Sequence, residues 1–267
     1  MSKVVLITGA SSGIGKSISL YLISKGYKVY GTCRDPKKYF INEYKLLKCD
    51  INSANEIEET VNYVLKKENK IDVLINNAGV GVTGPLEETS YEDIIKAYKT
   101  NLFGPIEIIK KCIPSMRNEK KGLIINITSI LAYFGTPYRG VYSATKSSLE
   151  IIGEVFNMEL NKFNINVVNI APGDFKTDIA SRRIVTKLNQ SSYYFNDYNN
   201  SLKSVNTHVN KAKSPIEIAH LVFKIIKSNN PKIHYKVGSF IQKFSIILKR
   251  IMPDRLFQKL LLHYSKN

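Results

Sequence analysis

A doubly wound α/β architecture, a parallel sheet of about seven strands with helices on both faces, is predicted by three observations. Short apolar runs of strand length alternate along the chain with longer stretches of helical period, the pattern that repeated strand–helix–strand units leave. The runs are apolar at successive residues, as strands buried on both faces require. A glycine-rich turn joins the first run to the first helical stretch, where such sheets place a tight turn.

Val4–Ile7 is the first strand. Ile14, Ile18 and Leu22 then recur every four residues and mark a helix face ending near Gly26. Residues 29–33 form the second strand and 46–49 a short third. Ile57, Val61, Val64 and Leu65 give the next helix. The fourth strand, 73–75, is entered from Asp72 and closed by Asn76-Asn77-Ala78-Gly79. A long helical region covers 91–116, with a bend expected at Gly104-Pro105. Residues 123–127 and 167–170 are further buried strands, separated by a helix from about Tyr142 to Phe163. Residues 174–214 are polar, with Tyr193-Tyr194-Phe195 amid Asn and Ser, and show little periodicity. A segment of that length fits a substrate lid. Helical spacing returns at 216–226, and 233–237 fits a last strand. With no internal repeat and no linker, residues 1–238 are expected to be one domain, followed by a C-terminal helical extension over 239–267.

Composition narrows the function classes. Of 267 residues, 43% are hydrophobic and 23% charged, which excludes collagen, a disulfide scaffold and disorder throughout. No run of eighteen apolar residues is present, so a membrane-spanning helix is not expected. The N-terminus enters the first strand without the regions of a signal peptide. Cys33, Cys49 and Cys112 form no C-x-x-C and suit a reduced, cytoplasmic setting. Net charge is +17, and residues 201–267 hold thirteen Lys/Arg against two Asp/Glu. A basic tail on a near-balanced body points to an anionic partner, or to lysines that are simply solvated.

Two motifs carry chemistry. Thr8-Gly9-Ala10-Ser11-Ser12-Gly13-Ile14-Gly15 lies between a strand and a helix. Glycines there let the backbone turn sharply and approach a pyrophosphate, whose charge sits at the helix N-terminus. Tyr142 and Lys146 are spaced i,i+4, which puts both side chains on one helix face about 5–6 Å apart. A Lys ammonium there favours the phenolate and moves the Tyr pKa down, making Tyr142 a usable general acid or base. Either motif alone also fits a plain turn or an exposed helix face. Their combination is more telling. Ser129 lies just past the strand 123–127, at the sheet edge where ligands bind, and Asn77, Ala78 and Gly79 close another strand on that edge. Asn101 sits mid-helix, where Asn is mildly unfavourable.

With these residues in place, the chain resembles the short-chain dehydrogenases/reductases, in their single-domain branch, over roughly residues 3–240. TGASSGIG, NNAG, Asn101, Ser129, Tyr142, Lys146 and Pro172-Gly173 with Thr177 appear in family order and spacing. The resemblance implies a Rossmann-type fold and a nicotinamide cofactor held by Gly9, Ser11, Ser12, Gly13, Ile14, Gly15, Asp50, Ile51, Asn77, Ala78, Gly79, Tyr142, Lys146, Pro172, Gly173 and Thr177. It implies that Tyr142 protonates the developing alkoxide, that Ser129 hydrogen-bonds the same oxygen, and that Lys146 holds the ribose. Asn101 would position a water in a proton relay, and no metal is needed. Cys33 stands where the family's NAD-selecting acid would fall, and Arg34 follows it. An Arg there accommodates a 2′-phosphate, so NADP(H) is favoured over NAD(H), although Arg34 is also free to be a solvated loop residue. Asp50 matches the residue that contacts the adenine amino group, or else caps the next helix.

Ile130, Leu131, Tyr133 and Phe134 after Ser129, and residues 80–82, are mostly apolar and suit a ketone or aldehyde on a hydrophobic body. VYGTCRDP and NNAGVGVTGPLEE look like the branch that includes 17β-hydroxysteroid and retinol dehydrogenases, which implies lipid-, steroid- or retinoid-like substrates. In the tail, Phe240, Phe244, Ile247 and Ile251 share a helical stripe, with Lys243, Lys249 and Arg250 off it. Pro253 breaks that helix, and Asp254 could cap a second with Leu256, Phe257, Leu260, Leu261 and Tyr264 on its apolar side. Residues 239–264 could lie on an anionic membrane, pack over the pocket, or meet a partner subunit. The family resemblance implies a homo-dimer or homo-tetramer through helices around 91–117 and 142–163. The leading expectation is thus an NADP-dependent oxidoreductase. A non-catalytic NADP-binding sensor or scaffold on the same fold is the alternative. Nucleic acid is not expected as a partner, since no recognisable DNA- or RNA-binding motif accompanies the charge.

Overall fold

The computed structural model describes residues 2–176, 182–210 and 213–266. In chain order the strands are β1 (Val4–Ile7), β2 (Lys28–Cys33), β3 (Lys45–Lys48), β4 (Val73–Asn76), β5 (Val82–Thr83), β6 (Gly122–Ile127), β7 (Ile165–Pro172), β8 (Ile184–Val185) and β9 (His234–Val237). Seven of them form one sheet in the order β3-β2-β1-β4-β6-β7-β9, with every pairing parallel. β5 and β8 pair separately. The chain leaves β1 toward β2 and β3 on one side and resumes at β4 on the other. The crevice between β1 and β4 is therefore the topological switch point, where open α/β sheets bind ligands.

The helices are α1 (Gly13–Ser24), α2 (Ala54–Glu68), α3 (Tyr91–Tyr98), α4 (Gly104–Asn118), α5 (Gly140–Leu160), α6 (Phe195–Asn210), α7 (Ile216–Lys227), α8 (Phe240–Ile251) and α9 (Asp254–Lys266). Successive strand residues point to opposite faces, and the core divides accordingly. Val5 and Ile7 meet Ile18 and Leu22 of α1 and Val222 and Ile225 of α7. Val4 and Leu6 meet Ile57 and Val61 of α2 and Ile108 and Cys112 of α4.

A buried polar row crosses this apolar sheet. Asn76, Asn126, Asn169 and His234 are aligned in register on β4, β6, β7 and β9. Asn76 Nδ2 donates to Asn126 Oδ1 at 2.9 Å, and Asn126 Nδ2 donates to Asn169 Oδ1 at 3.0 Å. Asn169 Nδ2 in turn reaches the Glu150 carbonyl of α5, and His234 Nδ1 lies 2.9 Å from Glu150 Oε2.

Two elements differ from the sequence reading, and a third narrows it. The long helical region breaks at a π-helical turn, Lys99–Phe103, one turn before the bend expected at Gly104-Pro105. The wider turn carries Asn101 inward, fully buried, in keeping with the association of such turns with functional sites. Residues 174–214 are not aperiodic loop, because they contain β8 and α6. α6 escapes a propensity reading because Asn and Ser, poor helix formers, fill much of it. It is anchored by buried Tyr198, whose Oη donates to the Thr83 carbonyl at 2.8 Å. The stripe of α8, for which the sequence left a membrane surface, the pocket and a partner subunit open, faces outward. Phe240, Ile247 and Ile251 are 76%, 52% and 71% exposed, whereas Ile246 is buried. Phe257 of α9 packs edge-on against Phe134 at 5.5 Å. Among the described residues, no helix is long and apolar enough to cross a membrane.

Candidate active site

The C-terminal ends of the central strands open into a cavity of about 880 Å³. Its floor is the turn after β1. Gly9 adopts φ +65°, and a Cβ there would stand 2.8 Å from Ala78 Cα, so a side chain would be both strained and obstructed. Thr8 Oγ1 accepts from the Asn77 and Ala78 amides at 3.0 Å, and Asn77 Nδ2 donates to the Thr8 and Gly9 carbonyls at 2.9 Å. These bonds stitch the two strand ends together. Ser12 is the N-cap of α1 but makes no side-chain cap bond among the described residues. A helix N-terminus with uncapped amides, walled by Gly9, Ser11, Ser12, Gly13 and Ile14, fits the pyrophosphate of a dinucleotide.

Asp50, Ile51, Asn77, Ala78, Gly79, Pro172 and Gly173 line the same cavity. Asp50 is not the helix cap. Ser53 caps α2, accepting from the Glu56 amide, while Asp50 Oδ1 accepts from the Asn52 amide. At the end of β2, Arg34 lines the cavity. Asp35 is tied into its own turn, accepting from the Lys37 amide and pairing with Lys38 at 3.3 Å. Burial pushes the neighbouring Cys33 thiol up. Arg182, which the sequence reading missed, also lines this end and donates to Tyr39 Oη at 3.3 Å. Nothing local in the sequence links Arg182 to Arg34, because the fold alone brings them together.

Tyr142 and Lys146 stand one turn apart on α5, both buried and both on the cavity wall with Ser129. Ser129 caps a short turn by accepting from the Leu131 amide, and its hydroxyl is near enough to the Tyr142 phenol to favour the phenolate. Lys146 Nζ donates to the Ile127 carbonyl at 2.8 Å. Burial holds the Lys146 ammonium down at about 8, partly offset by Glu150 one turn further along. Burial likewise pushes the Tyr142 phenol up, and Arg139, the Ser129 hydroxyl and Arg183 oppose that rise. The cations acting on Tyr142 are therefore Arg139 and Arg183 rather than Lys146, whose ammonium is directed to a carbonyl. Arg139, at the N-cap of α5, places its guanidinium 5.1 Å from the Tyr142 ring centre. Its position three residues before Tyr142 was legible as a helical neighbour.

Asn101 stands behind the wall. Its Oδ1 accepts from the Val80 amide at 2.8 Å, and its Nδ2 donates to the Val80 carbonyl and to Thr145 Oγ1. A Cβ on Gly79 would lie 3.2 Å from Asn101 Oδ1 and 3.4 Å from Lys146 Nζ, so these residues converge. Gly15 is also one layer back, packed on the Gly9 carbonyl and Asn77. Thr177 lies outside the described residues. The roof comes from Ile241, Gln242 and Ser245 of α8 and Leu261 of α9, with Gln242 Nε2 donating to Asp174 Oδ2 at 2.7 Å.

Comparison with known proteins agrees with this arrangement. The family model described as short chain dehydrogenase matches residues 3–187. A 3-ketodihydrosphingosine reductase of Bacteroides thetaiotaomicron is 35% identical over 257 residues, covering 96% of this chain and 95% of the relative. A short-chain dehydrogenase structure from Streptomyces avermitilis superposes with a TM-score of 0.82 at 24% identity, covering 100% of this chain and 98% of that one. The structure of ElxO with NADP bound has a TM-score of 0.72 at 27% identity, covering 90% and 97%. The sheet order, the glycine turn, the paired Tyr142 and Lys146 and these matches lead to one assignment: the chain belongs to the short-chain dehydrogenase family of oxidoreductases.

Proposed function

We propose that this protein is an NADP(H)-dependent reductase or dehydrogenase that interconverts a carbonyl and an alcohol on a hydrophobic, lipid-, steroid- or retinoid-like substrate. The observation that carries this reading is that buried Tyr142, Lys146 and Ser129 line one wall of the same cavity. A bound nicotinamide would supply or accept the hydride. Tyr142 Oη delivers a proton to the carbonyl oxygen in reduction and removes it in oxidation. Ser129 Oγ donates to the same oxygen as charge develops. Arg139 and Arg183 favour the phenolate that proton transfer leaves behind. Lys146, anchored on the Ile127 carbonyl, would hold the ribose, and Asn101 fixes the backbone at Val80.

The cofactor preference rests on Arg34 and Arg182 at the end of β2, where Asp35 is occupied by its own turn. The apolar cavity wall and the relative named as a 3-ketodihydrosphingosine reductase support a hydrophobic substrate. We take the described parts of 174–214 as a lid over that pocket and 239–267 as an extension that roofs it. Exposed Ile151, Val155 and Met158 on one face of α5 favour a homo-dimer or homo-tetramer. The outward apolar stripe of α8 beside Lys243, Lys249 and Arg250 favours a cytoplasmic enzyme that touches anionic membrane peripherally.

Titration of the pure protein with NADPH and NADH, followed by nicotinamide fluorescence, tests the reading. Tight NADPH and weak NADH binding, with NADPH oxidation on adding a hydrophobic ketone, is the expected result. Failure to bind either cofactor would favour a scaffold role on the same fold.

A further inference from the structure

Behind the reaction centre lies a buried carboxylate that proton and hydride transfer leave without a task. Glu150 stands one turn beyond Lys146 on α5, with its side chain 7% exposed. Glu150 Oε1 accepts from Thr128 Oγ1 at 2.6 Å and from Tyr133 Oη at 3.2 Å. Oε2 lies 2.9 Å from His234 Nδ1, and the same ring reaches Glu154. One side chain therefore ties α5 to the end of β6, to the turn after it and to β9. Thr128 is the residue between Ile127, whose carbonyl receives Lys146, and Ser129. Whatever fixes Thr128 to α5 thus fixes Ser129 relative to Lys146.

Charge points the same way. Lys146 is buried, and among the described residues its ammonium makes one hydrogen bond, to the Ile127 carbonyl, and no direct ion pair. A buried ammonium is costly without an opposite charge nearby, and Glu150 is the carboxylate whose field reaches it. Around Lys146 stand Tyr142 on the same helix face and neutral Asn101 from the π-helical turn. The titratable groups facing Glu150 are Tyr133, His234 and Lys236 of β9, and Lys146 and Glu154 on its own helix, with Arg250 of α8 beyond Tyr133. Burial and the Glu150 charge push the Tyr133 phenol up, so its hydroxyl stays a donor. An apolar side chain would suffice here to pack a helix on a sheet. A carboxylate satisfied from three separate elements instead rigidifies all of them.

We propose that Glu150 is a positioning residue for the reaction. Its carboxylate holds Ser129 and Lys146 in relation to each other through Thr128, and it is the counter-charge of the Lys146 ammonium. His234, arriving with β9, keeps that carboxylate in place. This deepens the carbonyl–alcohol reading and rests on it for the tasks of Ser129 and Lys146.

Glu150→Gln keeps the shape and an oxygen for Thr128 and Tyr133 but removes the charge. Full-length, cofactor-free protein carrying isotope-labelled lysine is titrated by NMR, and the Lys146 signal is identified by its loss in Lys146→Met. The Lys146 midpoint, about 8 in the unaltered protein, should fall by about one pH unit. Glu154→Gln, at the exposed end of the His234 bridge, should leave it in place. An unchanged midpoint in Glu150→Gln, or an equal fall in Glu154→Gln, would overturn the counter-charge. Thr128→Val is the second variant, which keeps the charge and cuts the tie to β6. With NADPH and a hydrophobic ketone its kcat should fall about tenfold or more, while NADPH affinity and the Lys146 midpoint hold. Undiminished kcat, or parallel losses of kcat and NADPH affinity, would overturn the positioning role. If the unaltered protein reduces no ketone, the carbonyl–alcohol reading fails, while the NMR titration still decides the counter-charge.

Discussion

Asn126 gives a hydrogen bond to Asn169 at 3.0 Å, and Asn169 passes one on to the Glu150 carbonyl at 2.8 Å. Two buried amides thus connect the middle of the sheet to the helix that carries Tyr142 and Lys146. Amide side chains inside an apolar sheet cost stability unless satisfied, and a one-residue slip of β6 against β7 would break the chain of bonds. The row therefore fixes strand register and sets the depth of α5 on the sheet.

Asn169→Leu should destabilise the fold by about 2–4 kcal/mol, because it orphans the buried Asn126 amide and removes the side-chain bond to the Glu150 carbonyl. Urea denaturation measures the loss. A change under 0.5 kcal/mol would mean the row contributes nothing.

Tyr142→Phe removes one oxygen and keeps the ring against Arg139. Turnover should fall by about 10²–10⁴-fold with cofactor affinity nearly unchanged. Near wild-type turnover in this variant would rule out Tyr142 as the proton donor.

Lys146 should make stability rise with pH. Its folded-state pKa of about 8 lies below the ordinary 10.5, so the unfolded chain binds the proton more readily. Stability from this group grows as pH rises from about 8 to 10.5. In the cofactor-free protein, Lys146→Met should be the more stable variant at pH 7 by up to about 3 kcal/mol, less what the lost bond to the Ile127 carbonyl contributed. That advantage should shrink across the same window. A pH-independent difference would show that burial of the charge is not the cause.

Arg34→Ala and Arg182→Ala should each weaken NADPH by about tenfold while NADH binding stays the same. Parallel losses for the two cofactors, read by fluorescence titration, would mean that neither Arg meets a 2′-phosphate.

Replacing Phe240, Ile247 and Ile251 together by Ser changes only exposed side chains. Sedimentation with vesicles of anionic lipid should fall sharply, while activity on a soluble ketone persists. Undiminished sedimentation would mean that this face does not touch lipid.

The core strands were readable because each is a run of apolar residues at successive positions, and the glycine turn because few other residues tolerate the backbone at Gly9. Tyr142, Lys146 and Ser129 were readable as a spacing. What escaped depends on distance in sequence. Arg182 meets Tyr39 across 143 positions, and the Asn row joins strands roughly fifty residues apart. α6 was hidden by its own composition, since buried Tyr198, not helix propensity, holds it in place. The outward face of α8 was left open among three placements for the opposite reason. Its strongest apolar stripe is the exposed one, and the body is met through Ile246.

The clasp of His234 on Glu150 spans 84 positions, and the same ring reaches Glu154 at 3.1 Å. During synthesis, α5 emerges from the ribosome long before β9, and no local contact can substitute for that clasp. Sheets closed by such distant pairings form slowly. A nascent chain lacking its ninth strand would hold Tyr142 and Lys146 on a helix without its last fastening, so the reaction centre is completed only when one of the final segments to be translated docks.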